Sequence, residues 1–424
     1  MIAAMKLLTQ LLFAGAFALG VHAQYLNPAR GLNKVTERVY VATGYALGNV
    51  IYVLTGTSLV VVDTTESPAA ARATLEEMRK ISSLPVSYIV YTHFHGDHIN
   101  GASVFKNDAT KIVAQRNHLE EMEKYTMLGG YNRRLNAIQF GAALPAEQRG
   151  ARLAMDPRNP GERGYIRPGV LFDEEYRFEE GGVKFELYHT LGETFDHLMV
   201  WMPQERVLLP GDLFYESFPM LASPMKPDRP ILGWAASLDR MRKLHAAYLV
   251  PSHTRPQTGA ENIDGILANY ARAIRWVHDE TVKRLNSGMS LAQIRDEVRL
   301  PDDLAKLPYL QPGYGTVPWS VNGIYKEYTG WYDFNPVDLN PGSKSALSRA
   351  LMDAAGGSAG ILKRAAGERD PQLALELTDI VLAAEPANRQ AHALRGAALE
   401  KLGQAATNTV ERNVYLVAAQ EEKK

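Results

Sequence analysis

The 424-residue sequence has no cysteine. It therefore has no disulfide, no thiolate nucleophile and no thiolate ligand, and any metal it holds must be taken by nitrogen and oxygen. Neither sign of charge dominates, since Lys plus Arg is 46 and Asp plus Glu is 47, a formal net charge of −1. No polybasic stretch is present, so nothing in the charge pattern suggests a nucleic-acid partner or an anionic membrane surface. Long apolar runs are scarce. The run from Leu7 to Leu19, within MIAAMKLLTQLLFAGAFALGVHAQ, is shorter than the roughly 20 residues needed to span a bilayer, so no stable membrane insertion is expected. Lys6 precedes the run and Val21, His22 and Ala23 follow it. The pattern predicts a secretory signal peptide over 1–23, cleaved after Ala23, and a periplasmic or secreted mature chain. Removing the leader with its single Lys6 takes the net charge from −1 to −2.

What is present is an alternation of strand and helix signals. NVIYVLTGTSLVVVD gives two β-rich runs around Thr55-Gly56, a hairpin signal, followed by helix-forming PAAARATLEEMRKI. VSYIVY, TKIVAQ and HLEEMEKY continue the alternation, which predicts an α/β layered domain. Residues 126–170, rich in Gly, Arg and Pro, break it and read as an insertion able to form part of a pocket wall. Strand runs resume at VKFELYH, LMVWMP and RVLLPGD and finish near AAYLVPSH. From about residue 261 the apolar period becomes helical, as in NIDGILANYARAIRWVHDETVKRLNSG, and a helical hairpin is expected on either side of Glu385-Pro386-Ala387-Asn388. The expected organisation is thus a layered domain over 24–260 and an all-α domain over 261–424.

The stretch YTHFHGDHING concentrates metal-binding groups. His93 and His95 flank Phe94 and share a face if the chain is extended, because side chains two apart in a strand point the same way. Gly96 allows a turn that swings Asp97 and His98 to a second position. The spacing suits two adjacent metals better than one, and the motif follows a strand, where α/β sheets place their ligands.

THFHGDH resembles the H-x-H-x-D-H signature of the metallo-β-lactamase superfamily, whose αββα sandwich carries a dinuclear site at the edge of two sheets. The resemblance implies three further ligands, and each has a counterpart. YHTLGETFDH offers Glu193 where most of the superfamily has histidine, LLPGDLF offers Asp212 as a bridging ligand, and VPSHTRP offers His253. By that pattern one zinc takes His93, His95 and Glu193, a second takes Asp97, His98 and His253, and Asp212 lies between. His189 and His197 flank the Glu193 turn as supporting residues, with His197 the better placed to orient a ligand. A glutamate at this turn followed by a helical domain resembles the alkyl sulfatase branch, in which the helices form a dimerisation domain. PSHTRPQTG, YGTVPWSVNGIYKEYTGWYDFNP and ERNVYLVAAQ carry that likeness into the second half.

The sequence departs from the branch at several points. Trp319 and Ser320 stand where those sulfatases have a His-Asn pair, and ESFPMLASPMKPDRP has no clear match to their Arg-Gly pair, Arg229 being nearby. Asp212 is the general superfamily form of the bridging acid rather than a glutamate. The sequence also ends where those enzymes add a sterol-carrier-like domain.

The resemblance implies a homodimeric dizinc hydrolase of alkyl sulfate esters, using a metal-bound hydroxide, with Asp97 and Asp212 able to hold or accept its proton. Arg255, Tyr314 and Trp319 are the expected contacts to a small-molecule ester substrate. Trp319 and Asp212 keep open a lactonase, β-lactamase or phosphodiesterase substrate. A non-catalytic dimeric metal-binding protein is a further alternative, as is iron in place of zinc at the same N and O ligands.

Overall fold

The computed structural model describes residues 28–145, 148, 162–330, 332 and 335–423. The expected signal peptide lies outside them. Contacts divide the described residues into two compact units, one of residues 28–129 and 162–327, the other of 130–145 and 148 together with those from 328 on.

The first unit is built on two sheets. Seven strands lie in chain order in one: β1 (Gly31–Lys34), β2 (Val39–Thr43), β3 (Val50–Leu54), β4 (Leu59–Val62), β5 (Val86–Val90), β6 (Lys111–Gln115) and β7 (Val170–Phe172). The other holds β8 (Glu175–Glu180), β9 (Val183–His189), β10 (Leu198–Met202), β11 (Val207–Leu209), β12 (Tyr248–Leu249) and β13 (Gln257–Thr258), in the reverse order 13 to 8. The β3–β4 hairpin pairs Leu54 with Leu59 across the expected turn. From β4 to β7 the pairing is parallel, because helices such as Pro68–Arg79 cross between strands. Ser67 caps that helix by accepting from the Ala70 N–H, and Pro68 opens it.

Strand periodicity assigns the layers. On β3, Ile51 and Val53 enter a core shared with Leu187, Val200 and Leu209 of the second sheet. Val50 and Tyr52 face the other way, into a core with Ala71, Met78 and Phe105 of the flanking helices. The second sheet turns Met199, Trp201 and Leu208 outward onto a third core with Trp234, Tyr270 and Ile274. Helix, sheet, sheet and helix thus stack as the αββα sandwich expected from the sequence. Each fully buried Val, Leu or Ile contributes about 1.5–3 kcal/mol to holding these layers.

The contacts do not divide the chain at residue 260. The helix Ala260–Asn286 buries Ile263, Ile266, Leu267, Tyr270, Ile274 and Val277 in the third core, so it serves as the outer layer of the sandwich. Helix Val317–Tyr328 adds Val321, Ile324 and Tyr325 to the same core.

The second unit is helical. It contains Lys344–Ala354, Ser358–Ala366, Pro371–Ala384, Arg389–Ala405 and Thr409–Glu421, around a core of Met352, Ile361, Leu362, Val381 and Ala391. The expected hairpin is there, and Asn388 caps its second helix by accepting from the Ala391 N–H. The insertion contributes to this unit too. Its helix Gly129–Gln139 meets the last helix, where Asn413 Nδ2 donates to the Gln139 carbonyl at 2.9 Å. Among the described residues no helix is long and apolar enough to cross a membrane.

Candidate metal centre

All seven expected ligands meet at one edge of the sandwich. His93 follows β5, and His95 precedes the one-turn helix Gly96–Ile99, whose first turn carries Asp97 and His98. Glu193 lies in the β9–β10 connection, Asp212 on the turn Gly211–Leu213 after β11, and His253 after β12. Three of these positions lie beyond the carboxyl ends of strands β5, β11 and β12, where connections converge. Gly211 is required there. Its φ is +59°, and a Cβ would come within 2.8 Å of both the His197 ring and Thr92.

The geometry separates the ligands into two overlapping groups. His93, His95 and Glu193 each offer one atom within 4.8 Å of the others, and so do Asp97, His98 and His253. Asp212 joins His93 and His98 in a third such group, which places it between the first two. Its Oδ2 lies 3.8 Å from His93 Nε2, 3.5 Å from His98 Nε2 and 3.2 Å from His253 Nε2. His93 Nε2 and His95 Nδ1 are 2.9 Å apart, and His95 Nδ1 is 3.7 Å from Glu193 Oε2.

Each group is backed by partners that the motif does not reveal. Asp63, at the end of β4, accepts from Thr92 N at 2.9 Å, Thr92 Oγ1 at 2.8 Å and Ser252 Oγ at 2.6 Å, and pairs with His98 Nδ1 at 2.8 Å. That pairing fixes the His98 proton on Nδ1 and turns Nε2 into the cluster. His253 Nδ1 is likewise held by the Leu47 carbonyl at 2.9 Å, and His93 Nδ1 by Thr92 Oγ1 at 3.0 Å. His197 accepts the Asp212 N–H on Nε2 at 3.1 Å, which ties it to the Asp212 turn. Burial pushes His197 down to about 4, which keeps that acceptor free of a proton. His189 lies apart, with Nε2 3.0 Å from the Phe195 carbonyl.

Glu193 is backed by a cation. Arg229 Nη1 lies 2.6 Å from Glu193 Oε1, and Tyr215 OH donates to the same oxygen at 2.9 Å. Burial raises the Glu193 carboxyl, and the Arg229 charge opposes the rise. Buried carboxylates demand positive charge across the rest of the cluster. Burial alone would lower His253, yet Asp212 and Asp97 hold it up at about 10. Burial likewise opposes ionisation of Asp212, but His253 and His98 keep its carboxyl well below the usual range.

A divalent cation meets the same demand. Asp212 Oδ1 and His98 Nε2 are buried with no hydrogen-bond partner among the described residues. Imidazole nitrogens and carboxylate oxygens, with their far sides already satisfied, are the donor set that zinc takes.

The expected substrate contacts are placed less uniformly. Tyr314 is half-buried beside the cluster, with its ring 5.6 Å from that of Tyr215. Arg255 is half exposed and forks onto Glu216 through Nε and Nη2 at 3.2 and 3.3 Å. Trp319 lies in the first turn of the helix Val317–Tyr328, its backbone N–H bonded to Thr316 Oγ1, and Ser320 is buried with its hydroxyl on the Thr316 carbonyl. One cation was missed from sequence. Lys226 is half-buried and interacts electrostatically with His95 and Asp97, and burial together with Arg229 lowers it to about 8.

Comparison with known proteins agrees with this architecture. Residues 44–253 match the family model of the metallo-β-lactamase superfamily, and residues 290–424 match that of alkyl sulfatase dimerisation. A linear primary-alkylsulfatase of Pseudomonas sp. is 33% identical over 386 residues, covering 86% of this chain and 72% of the relative. An (R)-specific secondary-alkylsulfatase of Pseudomonas sp. is 28% identical over 424 residues, and the chain spans 64% of its length. The solved structure of a stereoselective inverting sec-alkylsulfatase from Pseudomonas sp. superposes with a TM-score of 0.85 at 27% identity, covering 96% of this chain and 67% of the other. Sandwich, ligand cluster and relatives define a metal-dependent hydrolase of the metallo-β-lactamase superfamily. Within it, the chain belongs to the alkyl sulfatase family, the sulfuric ester hydrolases of this fold.

Proposed function

We propose that the protein is an exported, homodimeric dizinc enzyme that hydrolyses alkyl sulfate esters. The observation that carries this reading is the convergence of His93, His95, Glu193, Asp97, His98, His253 and Asp212 at one sheet edge, on a chain related to alkylsulfatases. One zinc is assigned to His93, His95 and Glu193, the other to Asp97, His98 and His253, with Asp212 between them. Bound there, the ions supply Lewis acidity and a water acidified to a pKa of about 7.

The chain's own groups supply the rest. Asp212 and Asp97 hold or accept the proton released during hydrolysis. His197, through the Asp212 N–H, keeps that carboxylate aimed at the cluster. Lys226 and Tyr314 are assigned to the sulfate group, because both lie in the electrostatic neighbourhood of Asp97 and Glu193 and can donate hydrogen bonds to an anion. Export rests on the signal-peptide pattern over 1–23. Dimerisation rests on the helical unit, which has the relevant family match and leaves Leu347 and Leu351, one turn apart on Lys344–Ala354, 63% and 44% exposed.

The test is inorganic sulfate release from a series of primary and secondary alkyl sulfates, with a lactone and a phosphodiester in parallel. Sulfate release that is abolished by chelation and restored by zinc is the expected result. Faster turnover of the lactone or phosphodiester than of every sulfate ester would overturn the substrate assignment. That outcome has a motive in Trp319 and Ser320, which replace the His-Asn pair expected of this branch.

A further inference from the structure

A glutamate in place of a histidine should weaken the positive field that an anionic ester needs. Arg229 answers that deficit in geometry. Its side chain is only 2% exposed, as is that of Glu193, and Nη1 sits 2.6 Å from Glu193 Oε1. A second anchor fixes the guanidinium, because the same Nη1 reaches the Met220 carbonyl at 2.7 Å. Tyr215 is anchored as well, accepting the Met220 N–H at 2.7 Å while donating to Glu193 Oε1. Two donors therefore occupy Oε1, and Oε2 alone is left toward His95, at 3.7 Å from Nδ1.

We propose that Arg229 is a positioning residue that makes Glu193 a one-oxygen, charge-compensated ligand, so that the Glu193–Arg229 pair stands in for a single neutral histidine. This rests on the assignment of Glu193 as a metal ligand. The carboxylate brings one negative charge, the guanidinium cancels it, and the ion at His93 and His95 keeps the net charge that a third imidazole would leave. The pair is then exchangeable as a unit. Replacing Arg229 alone leaves an uncompensated buried carboxylate, whereas replacing both residues restores balance.

The test counts ions in the purified full chain, with competitive chelator titration of each site. Arg229→Met is expected to lose affinity for one of two zinc ions by about 10- to 100-fold, the range for removing a residue that supports a ligand. Arg229→Lys, which keeps the charge, recovers most of it. The double variant Glu193→His with Arg229→Met is expected to hold two ions within about threefold of the parent affinity, on the same scale. Two ions bound with parental affinity by Arg229→Met would overturn the proposal, as would a double variant that binds no better than Arg229→Met. If Arg229→Met fails to fold, the double variant decides alone, with two ions supporting the pairing and one ion overturning it. Glu193→Gln separates the underlying assignment. If it retains both ions at parental affinity, Glu193 is not a ligand and the proposal falls with that reading.

Discussion

The two halves of the metal cluster are balanced in opposite ways. Asp97, His98 and His253 offer two imidazoles and one carboxylate, and a second carboxylate, Asp63, stands behind the imidazole of His98. His93, His95 and Glu193 offer the same set, and there a cation, Arg229, stands behind the carboxylate of Glu193. The donor sets match, and the charges behind them have opposite sign. The difference shows that the residues in contact with a cation do not alone set its environment, because each half is completed one layer out.

The largest disturbance is expected from Asp63→Ala. It strips acceptors from Thr92 N, Thr92 Oγ1, Ser252 Oγ and His98 Nδ1 together, all of them buried. Loss of about 3–5 kcal/mol in denaturant unfolding is expected, the cost of removing one partner from a buried charged network. The ion at His98 and His253 should be lost while the other stays. Unchanged unfolding with both ions retained would break the comparison.

Tyr215→Phe tests the other half more gently. It removes one donor from Glu193 and leaves the Met220 N–H without its acceptor. A destabilisation of about 1.5–3 kcal/mol is expected, as for a hydrogen bond to a charged group. Zinc affinity should fall less than in Arg229→Met, and chelator titration of the two variants gives the order.

An exposed pair gives the scale of an unburied charge contact. His392 is bonded to Glu422 in the helical unit, its side chain 38% exposed. The Glu422 contact raises the His392 pKa above its ordinary value. The pair's contribution is therefore complete below an unfolded pKa of about 6.5 and is lost as pH rises through the folded value. Solvent limits it to the low end of about 0.2–1 kcal/mol. The stability difference between parent and His392→Ala should shrink between pH 6 and pH 8, and a difference that grows would contradict the sign.

These layers were not equally legible in the sequence. Strands β3 to β6 could be read because their apolar runs are short, β-branched and bounded by turns. The ligands could be read because six positions around Gly96 hold four of them. Asp63 could not, since it meets His98 and Ser252 from 35 and 189 residues away, and the end of a strand carries no mark of what it will face. Arg229 had an indirect signal. A carboxylate in place of an imidazole needs a countercharge, but nothing in SPMKPDRP says that this arginine supplies it. The helix Ala260–Asn286 displays its apolar stripe plainly, yet a stripe does not say on which core it packs, so the boundary expected at 260 differs from the division by contacts.

The central claim is that the cluster holds two ions in the two groups just compared. Anomalous X-ray scattering from zinc-loaded crystals, recorded on both sides of the zinc absorption edge, tests it most directly. Two peaks are predicted, one among His93, His95 and Glu193 and one among Asp97, His98 and His253, with Asp212 between them. A single peak, or a second peak away from either group, would contradict it.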